Sequence, residues 1–310
     1  MKDELINSYY ATMEHGYHDA FWNAMRGKGT GDSVIEKARI ISSDTYLLPA
    51  KSASRFSAAL KGNNLFRRNG TVLTETSGNP VLWLGDTDAV PEWIPEGQAI
   101  PVRDDGIGPK HAIRANKLGI ITSMERDYVT DPIFDLESYL IGKFARMFGN
   151  AEEDACINGT GEAMPKGILH DTDGAETGIT VSGDIAFDDV LGLYFSLDKR
   201  YRANGMWLMN DETALKLKKL KDQSGQYLWN QNSDTILGKP VHISEHMPSD
   251  GKPVAFGDLS YYCIIDRKPL SVRSLDETFF MQHKMGYLGV EYLDGLLVRP
   301  EAVKVLKVSQ

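Results

Sequence analysis

Cysteine is scarce in this 310-residue sequence, and its two cysteines, Cys156 and Cys263, lie far apart. There is no CxxC pair and no metal-type spacing, which argues against a disulfide framework and against a cysteine zinc site. No stretch approaches the roughly 18 consecutive apolar residues that a membrane-spanning helix needs. The first ten residues, MKDELINSYY, lack the apolar core of a secretory signal peptide. Together these absences predict production in a reducing compartment and no contact with a membrane.

Positive charge is also in short supply. The 34 lysine and arginine residues are outnumbered by 43 aspartate and glutamate residues, which gives a formal net charge of −9. Proteins that hold nucleic acid by its phosphates normally carry a basic excess or a basic stripe. The lysine run at 216–221 alternates with leucines and predicts an amphipathic helix with a solvated lysine face. The composition therefore argues against tight nucleic-acid binding.

Catalytic motifs are few. There is no G-x-S-x-G nucleophile elbow, and the glycine-rich segment 159–167 lacks the Gly-Lys-Ser/Thr of a phosphate loop. His242, Glu245 and His246 match the H-x-x-E-H pattern of inverted zinc proteases. That chemistry needs both histidines on one face of a helix, whereas the flanking prolines and β-branched neighbours predict a strand and a turn. We therefore predict no catalytic, cofactor or metal site, and keep a metal-dependent hydrolase built on these three residues as an alternative.

Apolar periodicity predicts an α+β chain. Residues 1–30 form a helix and a glycine-rich break, so that the first 65 residues resemble an arm with little core of its own. A helix of about 25 residues follows from Ile133, with Asp131 as its N-cap, and ends at 158–161. Further on, we predict a helix over 187–202.

Two smaller features of the carboxyl-terminal half can also be placed. Asp211 is predicted to cap a helix that follows a buried strand. The Asp294–Gly295 pair is predicted to form a turn.

One segment points beyond the single chain. Between residues 80 and 109 there are five prolines, which suit a long two-stranded excursion better than a central sheet. The same segment carries Trp83, Trp93 and other large apolar residues. Such side chains on a protruding loop would be a liability for a monomer. We expect another chain to cover them, and the alternative is a loop that packs on its own domain.

The order of these elements resembles that of the HK97-type major capsid proteins of tailed bacteriophages. Three segments carry the resemblance: AVPEWIPEGQAIP at 89–101, the long helix with its G-x-G-x-x-x-P-x-G-I turn at 125–169, and DGLLVRPEAVKVLKV at 294–308. They are collinear, and the resemblance extends from about residue 45 to 308, which is most of the chain.

The resemblance implies an α+β, HK97-like capsid fold with a long spine helix. Its parts would be an N-terminal arm (1–50), a peripheral domain (51–75, 113–179 and 278–310), an extended loop (76–112) and an α/β axial domain (180–277). It also implies that copies of the chain form hexamers and pentamers. These would close into an icosahedral head around double-stranded DNA, assembled in the bacterial cytoplasm. Portal, scaffold and maturation protease would be partners, and no cofactor is implied.

The resemblance also gives candidate assembly contacts on the extended loop, namely Trp83, Trp93, Ile94, Glu96 and Arg103. An encapsulin-type nanocompartment shell, which has the same fold and holds enzyme cargo, stays as the alternative function.

Two departures from the family pattern stand out. The long N-terminal scaffolding segment of many members is not seen, so it would have been removed or be a separate protein. The namesake also joins a loop lysine to an asparagine of a neighbour, but no lysine lies between Pro80 and Pro109. The first lysine after them, Lys110, falls at the loop base, and we therefore predict no autocatalytic cross-links.

Overall fold

Two six-stranded sheets and one long helix organise the computed structural model. The structure describes residues 2–28, 33–74, 81–85, 92–100, 107–221, 224–229 and 234–309. The helices are α1 (Lys2–Ala11), α2 (Tyr17–Met25), α3 (Ser33–Glu36), α4 (Ala50–Asn63), α5 (Leu65–Asn69), α6 (Arg126–Thr130), α7 (Leu136–Asn158), α8 (Phe187–Ser196), α9 (Lys199–Arg202), α10 (Asp211–Lys218) and α11 (Asp276–Phe279). The strands are β1 (Arg39–Ile40), β2 (Thr45–Leu47), β3 (Thr71–Thr74), β4 (Val81–Gly85), β5 (Ile107–Ala112), β6 (Asn116–Glu125), β7 (Glu176–Ser182), β8 (Met206–Met209), β9 (Thr235–Ile236), β10 (Lys239–Ile243), β11 (Val254–Gly257), β12 (Tyr262–Leu275), β13 (Lys284–Leu297) and β14 (Val303–Ser309). None of the helices in these ranges has the length and apolar character needed to cross a bilayer.

The first sheet has the order β1-β2-β12-β13-β6, and β3 pairs with β12 in parallel. Helix α7 lies against it through the buried side chains of Leu140, Phe144 and Phe148. The helix approaches β13 closely at Gly289, where a Cβ would lie 2.8 Å from the Phe144 ring. The absence of a side chain at that position therefore sets how near the helix can sit to the sheet.

The long helix begins four residues later than predicted. Its N-cap is Asp135, whose side chain accepts from the backbone N–H of Ser138 at 3.0 Å. The side chain of Asp131 accepts instead from Ile133 N, which closes a local turn. The guanidinium of Arg26 donates to three backbone carbonyls, those of Val129, Asp131 and Phe134. Hydrogen bonds from Arg26 thus fix the segment before α7 in a non-helical turn. The prediction that Asp131 caps the helix is therefore wrong. The predicted end is confirmed, because α7 ends at Asn158.

The first 65 residues contribute more core than expected. In α2, Tyr17, Phe21 and Met25 are fully buried in the same apolar cluster as the inner face of α7. The hydroxyl of Tyr17 donates to the carbonyl of Leu47 at 2.6 Å, and that of Tyr287 donates to the carbonyl of Met25 at 3.0 Å. The expectation of an arm with little core is therefore wrong for α2.

The second sheet has the order β7-β14-β11-β8-β10-β9. Its core packs around Trp207 and Phe256, whose ring centroids lie 4.2 Å apart. The helix predicted over 187–202 is interrupted, because Asp198 accepts from Arg200 N and starts α9. The next helix is capped by Asn210 and not by Asp211, since the Asn210 side chain accepts from Thr213 N at 2.8 Å.

For strands β12 and β14, the sheet to which the strand belongs differs from what the predicted domain ranges imply. Strand β12 falls in the range 180–277 but lies in the first sheet. Strand β14 falls in the range 278–310 but lies in the second sheet. The four-part division of the chain stays a prediction.

Candidate assembly surface

The proline-rich excursion is built on a two-stranded sheet separate from the other two. Strands β4 and β5 pair antiparallel, with Val81 opposite Ala112 and Trp83 opposite Lys110. Lys110 thus stands in the hairpin near its base, as the sequence predicts. Because a two-stranded ribbon alone has marginal stability in water, this hairpin depends on other contacts for its order.

The tip of this hairpin, residues 92–100, presents apolar side chains to solvent. Trp93 is fully exposed and Ile100 is 78% exposed. Glu96 is also exposed, while Ile94 is partly buried. A turn at Gly97, with φ of +87°, places Gln98 N in hydrogen-bond contact with the carbonyl of Pro95. Three of the five candidate contact residues, Trp93, Ile94 and Glu96, therefore belong to one short exposed segment.

The other two candidates are less completely described. Trp83 has a described backbone in β4, but its side chain lies outside the described residues. Arg103 also lies outside them.

The root of the hairpin is fixed by Asp294 of β13. Its carboxylate accepts from Arg114 N at 2.6 Å, from the Asn116 side chain at 3.0 Å and from Gly295 N at 2.9 Å. Burial raises the pKa of Asp294, and the backbone N–H groups of Arg114 and Gly295 oppose that rise. The turn predicted at Asp294–Gly295 is wrong, because both residues lie inside β13. A Cβ on Gly295 would approach the Tyr262 hydroxyl to 2.8 Å, so the glycine serves close packing.

The glycine-rich segment 159–167 closes the same root from the other side. The Arg114 guanidinium donates to the carbonyl of Gly161 at 2.7 Å, and Lys166 N donates to the carbonyl of Gly295 at 2.8 Å. A Cβ on Gly167 would lie 2.3 Å from the carbonyl oxygen of Ile157. The glycines therefore allow a tight return of the backbone after α7, and this packing explains the motif without any phosphate.

A groove that the sequence did not predict lies beside the second half of α7, between this helix, β6 and the segment that follows α7. It has a volume of about 470 Å³ and an apolar lining that includes Leu118, Ala155, Met164 and Leu293. A smaller depression of about 100 Å³ continues it toward Met147. Three separate chain segments contribute these walls, so periodicity within one helix could not reveal the groove.

A second exposed apolar group lies beside α6. Phe280 is 63% exposed and Met281 is 94% exposed, in the turn before β13. The Arg126 guanidinium stands 5.8 Å from the centre of the Phe280 ring and pairs with Asp276 at 2.5 Å. Two adjacent apolar residues carry no periodic signal, so this group could not be predicted from the sequence.

The residues of the zinc-protease pattern do not lie on one helix. His242 lies in β10 and His246 in the following turn, as the flanking prolines predict. The His246 ring contacts Asn150 Oδ1 at 3.0 Å, and burial lowers the pKa of His242. Among the residues that the structure describes, no group of three His, Cys, Asp or Glu side chains is placed to hold a metal ion.

Both cysteines are buried free thiols. Burial raises the pKa of Cys156 far above its usual range and that of Cys263 to about 11. Neither is held as the thiolate that nucleophilic chemistry would need.

Comparisons with known proteins agree with the geometry. The profile of the Phage capsid family matches residues 44–308. The capsid of a native GTA particle is 25% identical, with a TM-score of 0.65, and the match covers 82% of this chain and 91% of that one. The capsid of an empty GTA particle is 27% identical, with a TM-score of 0.68, over 79% and 89% of the two chains. A structure from Mycobacterium phage Bobi is 15% identical and similar in fold, with a TM-score of 0.58 over 80% and 91%. No curated protein matches the sequence.

Proposed function

The chain belongs to the phage capsid family, and on that premise we propose that its copies assemble as hexamers and pentamers into an icosahedral head around double-stranded DNA. The chain is a major capsid protein, a structural protein of the virion. The α+β, HK97-like fold expected from the sequence is confirmed by the structural similarity.

The observation that best supports assembly is the hairpin tip. Trp93 is fully exposed in the single chain, on a ribbon separate from both large sheets. Burying an aromatic side chain of this size contributes on the order of 2 kcal/mol, and tryptophan is enriched at interfaces. In a closed shell, each copy would bury its own hairpin tip against one neighbour and would cover the tip of another neighbour.

The charge of the chain fits a container more than a DNA-binding protein. With a net charge of −9, the subunit would not hold phosphates tightly, so DNA would have to be driven in. We therefore propose enclosure without sequence-specific binding. Portal, scaffold and maturation protease are the proposed partners, and assembly is proposed to occur in the host bacterial cytoplasm.

We also propose that the subunit is not an enzyme. Two observations support this proposal: the buried thiols have raised pKa values, and His242 and His246 lie on a strand and the following turn and not on one helix face. Metal analysis of the purified protein tests this for His242 and His246, and stoichiometric zinc would contradict it.

Electron microscopy of particles formed by the full chain in bacteria tests the shell directly. We expect closed particles with five-fold vertices and six-fold capsomers. Nuclease-protected DNA inside particles formed together with the packaging proteins would favour the phage head, whereas protein cargo would favour the encapsulin-type container. A monodisperse monomer under all assembly conditions, with or without a scaffold, would contradict both.

We further expect the shell to contain no covalent links between subunits. No lysine lies between Pro80 and Pro109, and Lys110 stands in the base of the hairpin. Mature shells boiled in detergent should therefore run on a denaturing gel as a single band at the mass of one subunit. A ladder of multiples would show that cross-links form without a loop lysine.

A further inference from the structure

A buried charge cluster joins α5 and α7 to the first sheet. Arg67 of α5 donates to both carboxylate oxygens of Glu152 in α7, at 2.6 and 2.7 Å. It also donates to both oxygens of Asp266 in β12, at 3.0 and 2.8 Å. The side chain of Asn64 adds a third hydrogen bond to Glu152, at 3.0 Å. One guanidinium is thus already shared between two carboxylates.

A third acid, Glu291 of β13, reaches the same cluster without a cation of its own. It is only 4% exposed, and its Oε1 has no hydrogen-bond partner. It lines the same cavity as Arg67 and Asp266, and burial together with the negative charge of Glu152 raises its pKa. A buried carboxyl group without a cation of its own is held as the neutral, protonated acid. The cluster therefore holds a proton as well as three charged side chains.

Among the described residues, no lysine or arginine forms an ion pair with Glu291 directly. Its cross-strand neighbour in β6 is Leu118. Lys268 of β12, which lines the same cavity, donates instead to the Ser42 hydroxyl at 2.9 Å and lies 4.7 Å from the Tyr292 ring centre. Loss of the proton would therefore place three negative carboxylates on one guanidinium.

We propose that Glu291 carries a proton and forms, together with Glu152, a pH-sensitive joint between the long helix α7 and the first sheet. With the proton present, the carboxyl of Glu291 donates to Glu152 and closes the joint. When the pH rises and the proton leaves, repulsion between Glu291 and Glu152 loosens α5 and α7 from β13. The joint is closed in acid and weakened in alkali.

The cluster can exchange its proton with solvent. A cavity of about 440 Å³ is lined by Arg67, Asp266 and Glu291, and also by Tyr9 of α1 and by Met13 just after that helix. Those two side chains are half exposed, so the cavity opens at the surface beside α1. Protonation of the pair therefore does not require the subunit to unfold.

The direction of the pH effect follows from linkage. Burial, and then the negative charge of Glu152, raise the pKa of Glu291 well above its usual 4.5. When the pKa of a group is higher in the folded state than in the unfolded state, its bound proton stabilises the fold. This stabilisation is complete below the pKa of the unfolded state and is lost as the pH rises through the pKa of the folded state. Over that window, one extra proton in the folded state makes the unfolding equilibrium constant rise by up to about tenfold per pH unit.

The test compares the pH dependence of urea unfolding in the full chain, in Glu291→Gln and in Glu245→Gln. The glutamine amide can still donate to Glu152 but cannot lose a proton, so Glu291→Gln should lack the tenfold slope above pH 4.5. The control residue Glu245 is exposed, and its variant should keep the wild-type slope. Equal slopes in all three proteins would overturn the proposal.

Infrared spectroscopy of the wild-type subunit gives a second readout that needs no variant to fold. At neutral pH we expect the carbonyl band of a protonated buried carboxyl, which should fade as the pH rises. A spectrum that shows only ionised carboxylates at neutral pH would also overturn the proposal. Neither result depends on hexamers, pentamers or DNA, so this inference stands or falls separately from the proposed function.

Discussion

Replacing Trp93 by alanine is expected to suppress particle formation while the subunit stays folded. In the single chain Trp93 is fully exposed, so its removal takes no packing from the described core. If a neighbouring copy buries it, each contact loses on the order of 2 kcal/mol. A loss of that size weakens a single contact by roughly 30-fold. Because every copy in a closed shell repeats the contact, the yield of closed particles should fall much further.

Particle yield by density-gradient sedimentation and subunit stability by urea unfolding should be measured together. Trp93→Phe is the matched control, because it keeps an aromatic ring at the tip and should retain part of the yield. An unchanged yield in Trp93→Ala would show that the tip is not an assembly contact. A large loss of subunit stability would show that the tip packs on its own chain.

The largest expected effect on the fold itself comes from Arg67. Replacement by methionine keeps the length of the side chain but leaves Glu152 buried without its cation. Removal of one partner from a buried ion pair costs about 3–5 kcal/mol, because an uncompensated charge remains. The side chain of Glu152 is completely buried, and Arg67 is 9% exposed, so solvent offers little screening. Urea unfolding at neutral pH should show the loss as a lower midpoint at an unchanged slope.

Two further variants separate this effect from a general loss of charge. Arg39→Met removes an exposed ion pair with Asp44 and should cost no more than about 1 kcal/mol. Arg67→Met combined with Glu152→Gln should be less destabilised than Arg67→Met alone, because the buried negative charge is gone. A cost of under about 1 kcal/mol for Arg67→Met would mean that the cluster is solvated and not a buried joint.

The sequence predicted those elements whose stability comes from their own periodicity. The stripe of α7 and its end at Asn158 are examples. Prediction from the sequence failed where a side chain distant in sequence determines the local structure. Asp131 and Asp135 are equally good caps by residue type, and Arg26, more than 100 residues earlier, decides between them by taking the carbonyls.

Some parts of the candidate assembly surface could be predicted from the sequence and others could not. Prolines identify the hairpin from the sequence, because they restrict the backbone of their own segment. The tryptophans of the same segment predict a contact with another chain. The root could not be predicted, since Asp294 and Gly295 look like a turn until β6 and the segment after α7 pack on them. The buried acid Glu291 was missed for the same reason, because its partners lie in α5 and α7.

The position of β14 sets the order in which the protein can fold during synthesis. This strand, Val303–Ser309, lies between β7 and β11 and joins the two halves of the second sheet. A nascent chain that has not reached residue 303 has β7 and β11 without the strand between them. The second sheet therefore closes only after ribosomes have added β14, which delays the assembly-competent state until nearly all of the described residues have been made.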